Sequence, residues 1–358
     1  MSRVNVGLVG CGMAADEYVK GVDAFQTFDI VACADVDADR CQAFAEKHGV
    51  EPVSVEELLA ADGVDVVLNL TPPAAHEALV AATLDAGKHS YTEKPLALSV
   101  DAGRALVEHA LAAGLRLGCA PDTFLGTAYE TARLVIERGD IGVPIGVTAQ
   151  MLTAGPDTWH SNADVFYRAG GGPLLDVGPY YLTAMVALLG PIVAASGFVA
   201  TPTVERELRV GPRAGERFAV EVPTHVAAAL RFASGSLATI TVSFEARGRY
   251  ESGMFVHGTE GSLLLPDANG FAADVKIRSD HSDWQPVAHG PRRDIDRRGI
   301  GLHDLVEAVS EGRPHRASGE LALHVLEAVH AILRSADERI TVEVSSLPAP
   351  VASMKLNP

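Results

Sequence analysis

"VNVGLVGCGMAADEY", residues 4–18, decides how this chain is read. A short β-rich apolar run ends in Gly10-Cys11-Gly12-Met13-Ala14-Ala15, a G-x-G-x-x-A pattern. A helical segment follows, then a second apolar run, "DIVACAD", that ends at Asp35. Strand, tight turn, helix and strand in that order open a dinucleotide-binding unit. Gly10 permits the turn, and Gly12 lets backbone approach a pyrophosphate. Ala15 allows close helix–strand packing, and the helix N-terminus, with Met13 and Ala14 in its first turn, faces the phosphates. Asp35 follows at about 20 residues, where a carboxylate accepts hydrogen bonds from both ribose hydroxyls. It would meet a 2′-phosphate with like charge, so NAD is expected over NADP. Arg40 is the one nearby residue that can soften that preference.

The alternation continues. Residues 38–48 read as a helix stopped by Gly49, and Ser54 with Glu57 forms a capping box. "VDVVLNL" (64–70) is a continuous apolar run, as expected of a parallel strand covered on both faces. Then come Thr71-Pro72-Pro73, a helix through Asp85 with Gly87 as its stop, the short strand "HSY", a helix over 100–113 and the strand "LRLGC". The pattern predicts an α/β, doubly wound parallel sheet. Ligands bind outside the carboxyl ends of such strands, which singles out Thr71-Pro72 and Glu93-Lys94-Pro95. His76, in the following helix, either faces the cofactor or braces packing. Lys94 sits at a strand tip beside a proline and cannot easily swing into solvent; the plainer alternative is a surface salt bridge with Glu93.

Beyond residue 122 the rhythm stops. A helix at about 125–138 precedes strand-like segments at 144–152, 192–201, 224–233, 237–245, 252–257 and 261–265, with "FASGSL" and "HGTEGS" as hairpin turns. The expected domains are 1–122, for the dinucleotide, and 123–358, for substrate. At 358 residues the chain is long enough for both, and a composition of 47% hydrophobic and 21% charged residues supplies their cores. A net charge of −17 without a basic run argues against nucleic acid or an anionic membrane as partner. No apolar run reaches the about 18 residues of a membrane span, and the apolar start lacks the features of a secretion signal. The four cysteines, Cys11, Cys33, Cys41 and Cys119, show no C-x-x-C spacing, so neither a disulfide framework nor a metal site is expected. The simplest location is the cytoplasm.

Three stretches in order, "GLVGCGMAADEY" (7–18), "NLTPPAAHEALVAATLDAGKHSYTEKPLAL" (69–98) and "GGGPLLDVGPYYL" (170–182), resemble the Gfo/Idh/MocA family of glucose–fructose oxidoreductase, inositol dehydrogenase and rhizopine-catabolism proteins. "FVHGTEGSLLLPD" (255–267) and "LHVLEAVHAILRSADE" (323–338) are similar to that family's second domain. The resemblance implies an N-terminal Rossmann domain and a C-terminal α+β domain built on a large, mostly antiparallel open sheet. One face of that sheet would carry the substrate site. The other would pack against another subunit, in a homodimer or homotetramer. The resemblance carries the E-K-P lysine onto Lys94 and the motif aspartate onto Asp176. The family's commoner histidine four residues later is Tyr180 here. That departure excludes copying an inositol-dehydrogenase mechanism with a histidine base; it resembles the glucose–fructose oxidoreductase, xylose dehydrogenase and dihydrodiol dehydrogenase branches instead.

The residues themselves agree with a site. Positions i and i+4 share a helical face, so Asp176 and Tyr180 can address one substrate. Pro179 is harmless if the helix begins at about 176–178, which puts Asp176 near the N-cap; otherwise the helix begins at Pro173 and kinks at 179. Glycines 170–172 let backbone pass close to the cofactor. In the loop "TAGPDTWHSNADVFYRA" (153–169), Trp159 can stack on a sugar ring and His160 and Asn162 can bind hydroxyls; the alternative is a surface loop with incidental aromatics. The expected activity is NAD-dependent hydride transfer at a secondary alcohol or ketone of a sugar, cyclitol or related polyol. Lys94, its pKa lowered by the nicotinamide cation and by burial, exchanges the hydroxyl proton. Tyr180 relays or donates it, so that either Lys94 or Tyr180 is the main acid/base, and Asp176 binds a neighbouring hydroxyl and holds Lys94. Two alternatives stay open: an NAD-using enzyme that cleaves glycosides through transient oxidation, and a non-catalytic, dinucleotide-responsive regulator.

Overall fold

A computed structural model describes residues 3–248, 252–279, 282–288 and 296–352. The chain forms two compact units, Met1–Gly126 with Arg292–Leu326 and Thr127–Pro291 with Glu327–Pro358.

In the first unit the elements run β1 (Val4–Val9), α1 (Met13–Phe25), β2 (Phe28–Ala34), α2 (Ala38–His48), β3 (Glu51–Pro52), α3 (Val55–Ala60), β4 (Val66–Asn69), α4 (Pro73–Asp85), β5 (His89–Thr92), α5 (Val100–Ala113) and β6 (Leu117–Cys119). Local chemistry sets the helix ends. The Asp37 side chain accepts the Arg40 N–H to start α2, and Gly49, at φ +68°, ends it. Ser54 and Glu57 close both halves of a capping box on α3. Ser99 caps α5, and Gly114 stops it at φ +66°. The sheet is parallel in the order β3-β2-β1-β4-β5-β6, and the direction of winding reverses between β1 and β4, which opens a crevice at their carboxyl ends. Helices cover both faces: Leu58, Val64, Val67 and Leu79 belong to one core cluster, and Val80, Leu84, Leu106 and Leu117 to another.

A single boundary after residue 122 does not describe this unit, because residues 292–326 return to it. The reason is a buried carboxylate. Asp122 is fully buried and accepts the N–H groups of Gly299 and Gly301. The returning segment also runs along β6: Ser318 bridges Gly118, Cys119 N–H donates to Ala317 O, and His315 Nε2 lies 3.0 Å from Leu117 O.

The second unit contains α6 (Thr127–Glu137), β7 (Pro144–Leu152), α7 (Pro173–Asp176), α8 (Gly178–Leu189), β8 (Ile192–Ala200), β9 (Glu205–Glu207), β10 (Arg217–Ala219), β11 (His225–Phe232), β12 (Leu237–Ser243), β13 (Gly253–Gly258), β14 (Gly261–Leu265), β15 (Lys276–Ser279) and β16 (Gln285–Pro286). After α9 (Ile300–Glu311) in the first unit, α10 (Gly319–Glu338) starts in the first unit and ends in the second, where β17 (Val342–Glu343) follows. The helix expected at about 125–138 begins at Thr127, and Leu125 instead closes a 3-10 turn, Thr123–Leu125. Among the described residues nine strands make one sheet, β16-β15-β14-β13-β7-β12-β11-β8-β17, antiparallel at every pairing except β7 with β12. Strict alternation gives it one apolar face, with Val147, Ala149, Met151, Ile240, Val242, Met254 and Val256 buried, and one open face. Among the described residues no helix is long and apolar enough to cross a membrane.

His89 and His315 have pKa values held below the ordinary histidine value, chiefly by burial. The folded state therefore keeps both rings neutral, whereas an unfolded histidine protonates near pH 6.5. Below about 6.5 the unfolded chain binds more protons, so stability is expected to fall as pH drops toward 5. Denaturant midpoints measured across that range check this, and His315→Gln is expected to flatten the slope.

Candidate functional site

In the first unit the turn after β1 comes first. Gly10 has φ +102°, and a Cβ there would stand 2.7 Å from the carbonyl carbon and oxygen of Leu70. A Cβ on Gly12 would meet no protein atom within 4 Å. Gly12 is also the N-cap of α1 and supplies no side-chain cap. Open space thus lies over a helix end whose first N–H groups, in the turn of Met13 and Ala14, have no side chain to satisfy them. This fits the pyrophosphate of a dinucleotide.

Asp35 follows β2, but its carboxylate is already engaged. Oδ2 accepts the Cys11 N–H at 2.8 Å and Arg40 Nε at 3.0 Å; Oδ1 accepts the Asp37 N–H at 2.9 Å and Arg40 Nη2 at 2.5 Å. Burial pushes the acid's pKa up, and the Arg40 guanidinium with the two N–H groups outweighs it and holds it below the usual value. The sequence reading offered the ribose a free acid. The structure shows a bidentate Arg40 fork that the ribose must share or displace, because α2 brings the guanidinium alongside.

The ends of β4 and β5 supply the next residues. Asn69 is buried, and its Oδ1 accepts both the N–H (3.1 Å) and the hydroxyl (2.6 Å) of Thr71. Pro72 caps α4 with Pro73 in its first turn, where a missing N–H is harmless. His76 is fully buried, with Nδ1 at 2.6 Å from Pro95 O and Nε2 at 2.8 Å from Thr71 O. It is therefore a brace between the Thr71 turn and the E-K-P element, and its expected contact with cofactor is not available to a ring without exposed surface. Glu93 Oε1 accepts the Tyr18 hydroxyl at 2.9 Å, and Oε2 accepts the Lys94 N–H at 3.1 Å. Burial, then the Glu93 charge, pushes the Tyr18 pKa well up, so the phenol remains a donor. Lys94 itself is half-buried.

In the second unit the main helix begins at Gly178, as the first sequence alternative had it, and a separate single turn precedes it. A one-turn helix, α7, ends at Asp176; Val177 breaks it, and α8 restarts with Pro179 in its first turn. Asp176 and Tyr180 do not share one continuous helical face, and no side chain caps α8. Asp176 is half-buried and Tyr180 is 8% exposed. Gly170 and Gly172 adopt φ +86° and +92°, and a Cβ on Gly171 would lie 2.5 Å from Phe166 O. Gly171 N–H donates to Arg168 O and Gly172 N–H to Phe166 O. The glycines fold the loop back on itself; their expected approach to cofactor is not what requires them.

The loop at 153–169 displays Trp159 at 65% exposure, edge-on to a partly exposed His160. His160 Nδ1 accepts the Asn162 N–H, and the exposed Asn162 has Oδ1 3.4 Å from Arg213 Nη1. Sequence reasoning missed what anchors this loop. Buried Arg206 donates to Asp157 Oδ1 (2.7 Å), Ala154 O (2.9 Å), the Tyr167 hydroxyl (3.1 Å) and Phe244 O (2.6 Å), and pairs with Glu245 at 2.9 Å. Nothing in the spacing of Arg206 announces this; only the meeting of β9, β12 and the loop reveals it. Sequence reasoning likewise passed over Tyr18 and Asn69, and it discounted three cysteines that the fold brings together: Cys11, Cys33 and Cys41.

Residues 4–120 match the sequence model of an oxidoreductase family with an NAD-binding Rossmann fold, and residues 129–264 match that of the GFO/IDH/MocA C-terminal domain. A 1,5-anhydro-D-fructose reductase from Ensifer adhaerens is 30% identical over 263 residues, covering 72% of this chain and 74% of the relative. A levoglucosan dehydrogenase from Pseudarthrobacter phenanthrenivorans is 26% identical over 98% of this chain and 100% of its own length. Among solved structures, an NAD-binding oxidoreductase from Klebsiella pneumoniae superposes with a TM-score of 0.82 at 25% identity, over 96% of this chain and 99% of the other. A levoglucosan dehydrogenase complexed with NADH and L-sorbose gives a TM-score of 0.84 over 97% of this chain and 100% of the other; at 23% identity it speaks to the fold alone.

The two turn glycines are expected to fail in different ways. Gly10→Ala clashes with backbone at positive φ and is expected to lower stability by more than about 2 kcal/mol. Gly12→Ala meets empty space, so its stability should change by less than about 1 kcal/mol, while NADH binding weakens at least about tenfold because the new methyl stands where a phosphate approaches. Thermal unfolding and NADH fluorescence titration separate the two.

Proposed function

Because the chain belongs to the Gfo/Idh/MocA family of oxidoreductases, we propose that it is an NAD-dependent dehydrogenase or reductase acting on a secondary alcohol or ketone of a sugar, cyclitol or related polyol. The observation that carries this reading is the pairing, in one parallel sheet, of the uncapped turn at Gly10–Gly12 with Glu93-Lys94 at the end of β5. The relatives named above as a reductase and a dehydrogenase of anhydrosugars support the substrate class. When bound, NAD supplies the hydride acceptor or donor at its nicotinamide ring. The chain's own residues manage the proton and the substrate. Lys94 Nζ exchanges the proton of the reacting hydroxyl; the Glu93 carboxylate, held by Tyr18, fixes the backbone from which that side chain leaves. The Tyr180 phenol relays the proton, and the Asp176 carboxylate accepts a hydrogen bond from a neighbouring hydroxyl. Trp159 offers a ring face to the apolar side of a sugar, with His160 and Asn162 as hydroxyl partners.

The reading includes a homo-oligomer, dimer or tetramer, formed through the open face of the second sheet. Thr148, Thr239, Ala229 and Ala227 make that face small and flat, and Phe198, at 80% exposure, and Phe255 are apolar anchors for a second copy. It also includes a cytoplasmic setting, where unpaired thiols persist.

A panel of sugars, inositols and diols offered with NAD and NADP, read by absorbance of the reduced nicotinamide, tests the proposal. Turnover with NAD on at least one cyclic polyol is expected. Release of a free sugar without net NADH would favour transient oxidation, and NADH binding with no turnover on any substrate would favour a regulator.

With a substrate in hand, Lys94→Ala is expected to lower kcat by about 10²–10⁴ while leaving cofactor affinity within about tenfold. Tyr180→Phe is expected to lower kcat by about 10² if the phenol relays the proton. A loss of about 1–2 kcal/mol, carried in KM, would make it an orienting group instead.

A further inference from the structure

Cys11, Cys33 and Cys41 come from three separate elements and meet in one buried spot. Cys11 lies between the two glycines of the dinucleotide turn, Cys33 is the next-to-last residue of β2, and Cys41 lies in α2. Their exposures are 6%, 0% and 6%, and all three sulfurs lie within 4.8 Å of one another. Cys33 Sγ stands 3.7 Å from Cys41 Sγ. Two sulfurs bound to one metal ion at about 2.3 Å are separated by about 3.8 Å in tetrahedral geometry and about 4.0 Å in trigonal geometry. Cys33 and Cys41 are thus already spaced as ligands of a common ion, and Cys11 Sγ lies within reach of it.

Three polarizable sulfurs face one another there, and thiolate sulfur is a soft ligand suited to a soft cation. Cys33 Sγ and Cys41 Sγ each reach the other residue's carbonyl oxygen, at 3.8 and 3.4 Å, and Cys11 Sγ lies 3.7 Å from Ala34 O.

We propose that Cys11, Cys33 and Cys41 form a three-sulfur site for a soft d10 cation, Cu(I), and that filling it weakens dinucleotide binding. Sulfur selects soft ions. Zinc would want a fourth ligand, and among the described residues no further histidine, cysteine or acid joins the group. Binding forms S–Cu bonds in place of S–H bonds; the displaced protons leave to water and no electron moves. The coupling follows from Cys11. Its N–H is one of the donors on Asp35, at 2.8 Å, and its peptide lies between Gly10 and Gly12. An ion that draws Cys11 Sγ toward Cys33 shifts the same peptide that shapes the turn, and by reciprocity a bound dinucleotide weakens the ion by the same factor. The coupling, though not the metal site, rests on the dinucleotide reading of that turn.

The test is an anaerobic titration of the full chain with Cu(I) against a colorimetric Cu(I) chelator, followed by NADH titration of the metal-free and Cu(I)-loaded protein. One Cu(I) per chain is expected, with affinity lowered at least about 100-fold in Cys33→Ala/Cys41→Ala and unchanged in Cys119→Ala. NADH affinity should fall at least about tenfold on loading. If wild type and the double variant compete equally with the chelator, the three thiols merely pack and the site is overturned. One Cu(I) per chain with unchanged NADH affinity overturns the coupling and upholds the site. Failure of the metal-free protein to bind NADH overturns the dinucleotide reading and the coupling with it, while the Cu(I) titration still decides the site. Should the double variant not fold by circular dichroism, Cys41→Ala alone is expected to weaken Cu(I) at least about tenfold, and an unchanged affinity there overturns the site.

Discussion

The close approach of Gly10 to the Leu70–Thr71 backbone is the constraint on which the first unit turns. A Cβ at Gly10 would overlap the Leu70 carbonyl, so the chain leaves β1 at positive φ and passes directly beneath the end of β4. That passage places the Cys11 N–H on Asp35 and starts α1 at Gly12 with nothing covering its first turn. The switch point between β1 and β4, the acid at the end of β2 and the uncapped helix are consequences of one tight turn. A side chain there would separate β1 from β4 and move all three.

Buried ions hold the rest in register. Asp122 gathers Gly299 and Gly301 into the first unit, and Arg206 gathers Asp157, Ala154, Tyr167 and Phe244 in the second. Removing one partner of such a set leaves a desolvated charge, at about 3–5 kcal/mol. Both sets tie chain segments far apart in sequence, which adds positional definition where hydrophobic contact alone is tolerant of sliding. In the second unit that definition falls on the loop bearing Trp159, His160 and Asn162. A loop held by an internal ion network presents its exposed residues with little ordering left to do.

The E-K-P element is fixed at its backbone from two sides. His76 spans the Thr71 and Pro95 carbonyls, and Tyr18 with the Lys94 N–H occupies both oxygens of Glu93. The surroundings of Lys94 are rigid at the backbone, while the lysine keeps a half-buried side chain.

The sequence by itself determined what depends on neighbours along the chain. Glycines at the turn, the caps at Ser54 and Ser99, the stops at Gly49 and Gly114, and the period-2 strands after residue 140 are local signals, and the elements appear where those signals stand. It also marked the strand ends carrying Thr71 and Lys94, since ligand sites in doubly wound sheets follow from strand direction. Only the tertiary structure decided the rest: that Arg40 already grips Asp35, that His76 is a brace, that Val177 parts Asp176 from Tyr180, that residues 292–326 come back to the first unit, and that three cysteines without motif spacing share one pocket of sulfur. Each of these depends on which side chain arrives from a distant element and at what distance. Hydrogen bonds and ion pairs act over about 3–4 Å, and no periodicity in one strand of sequence encodes that separation.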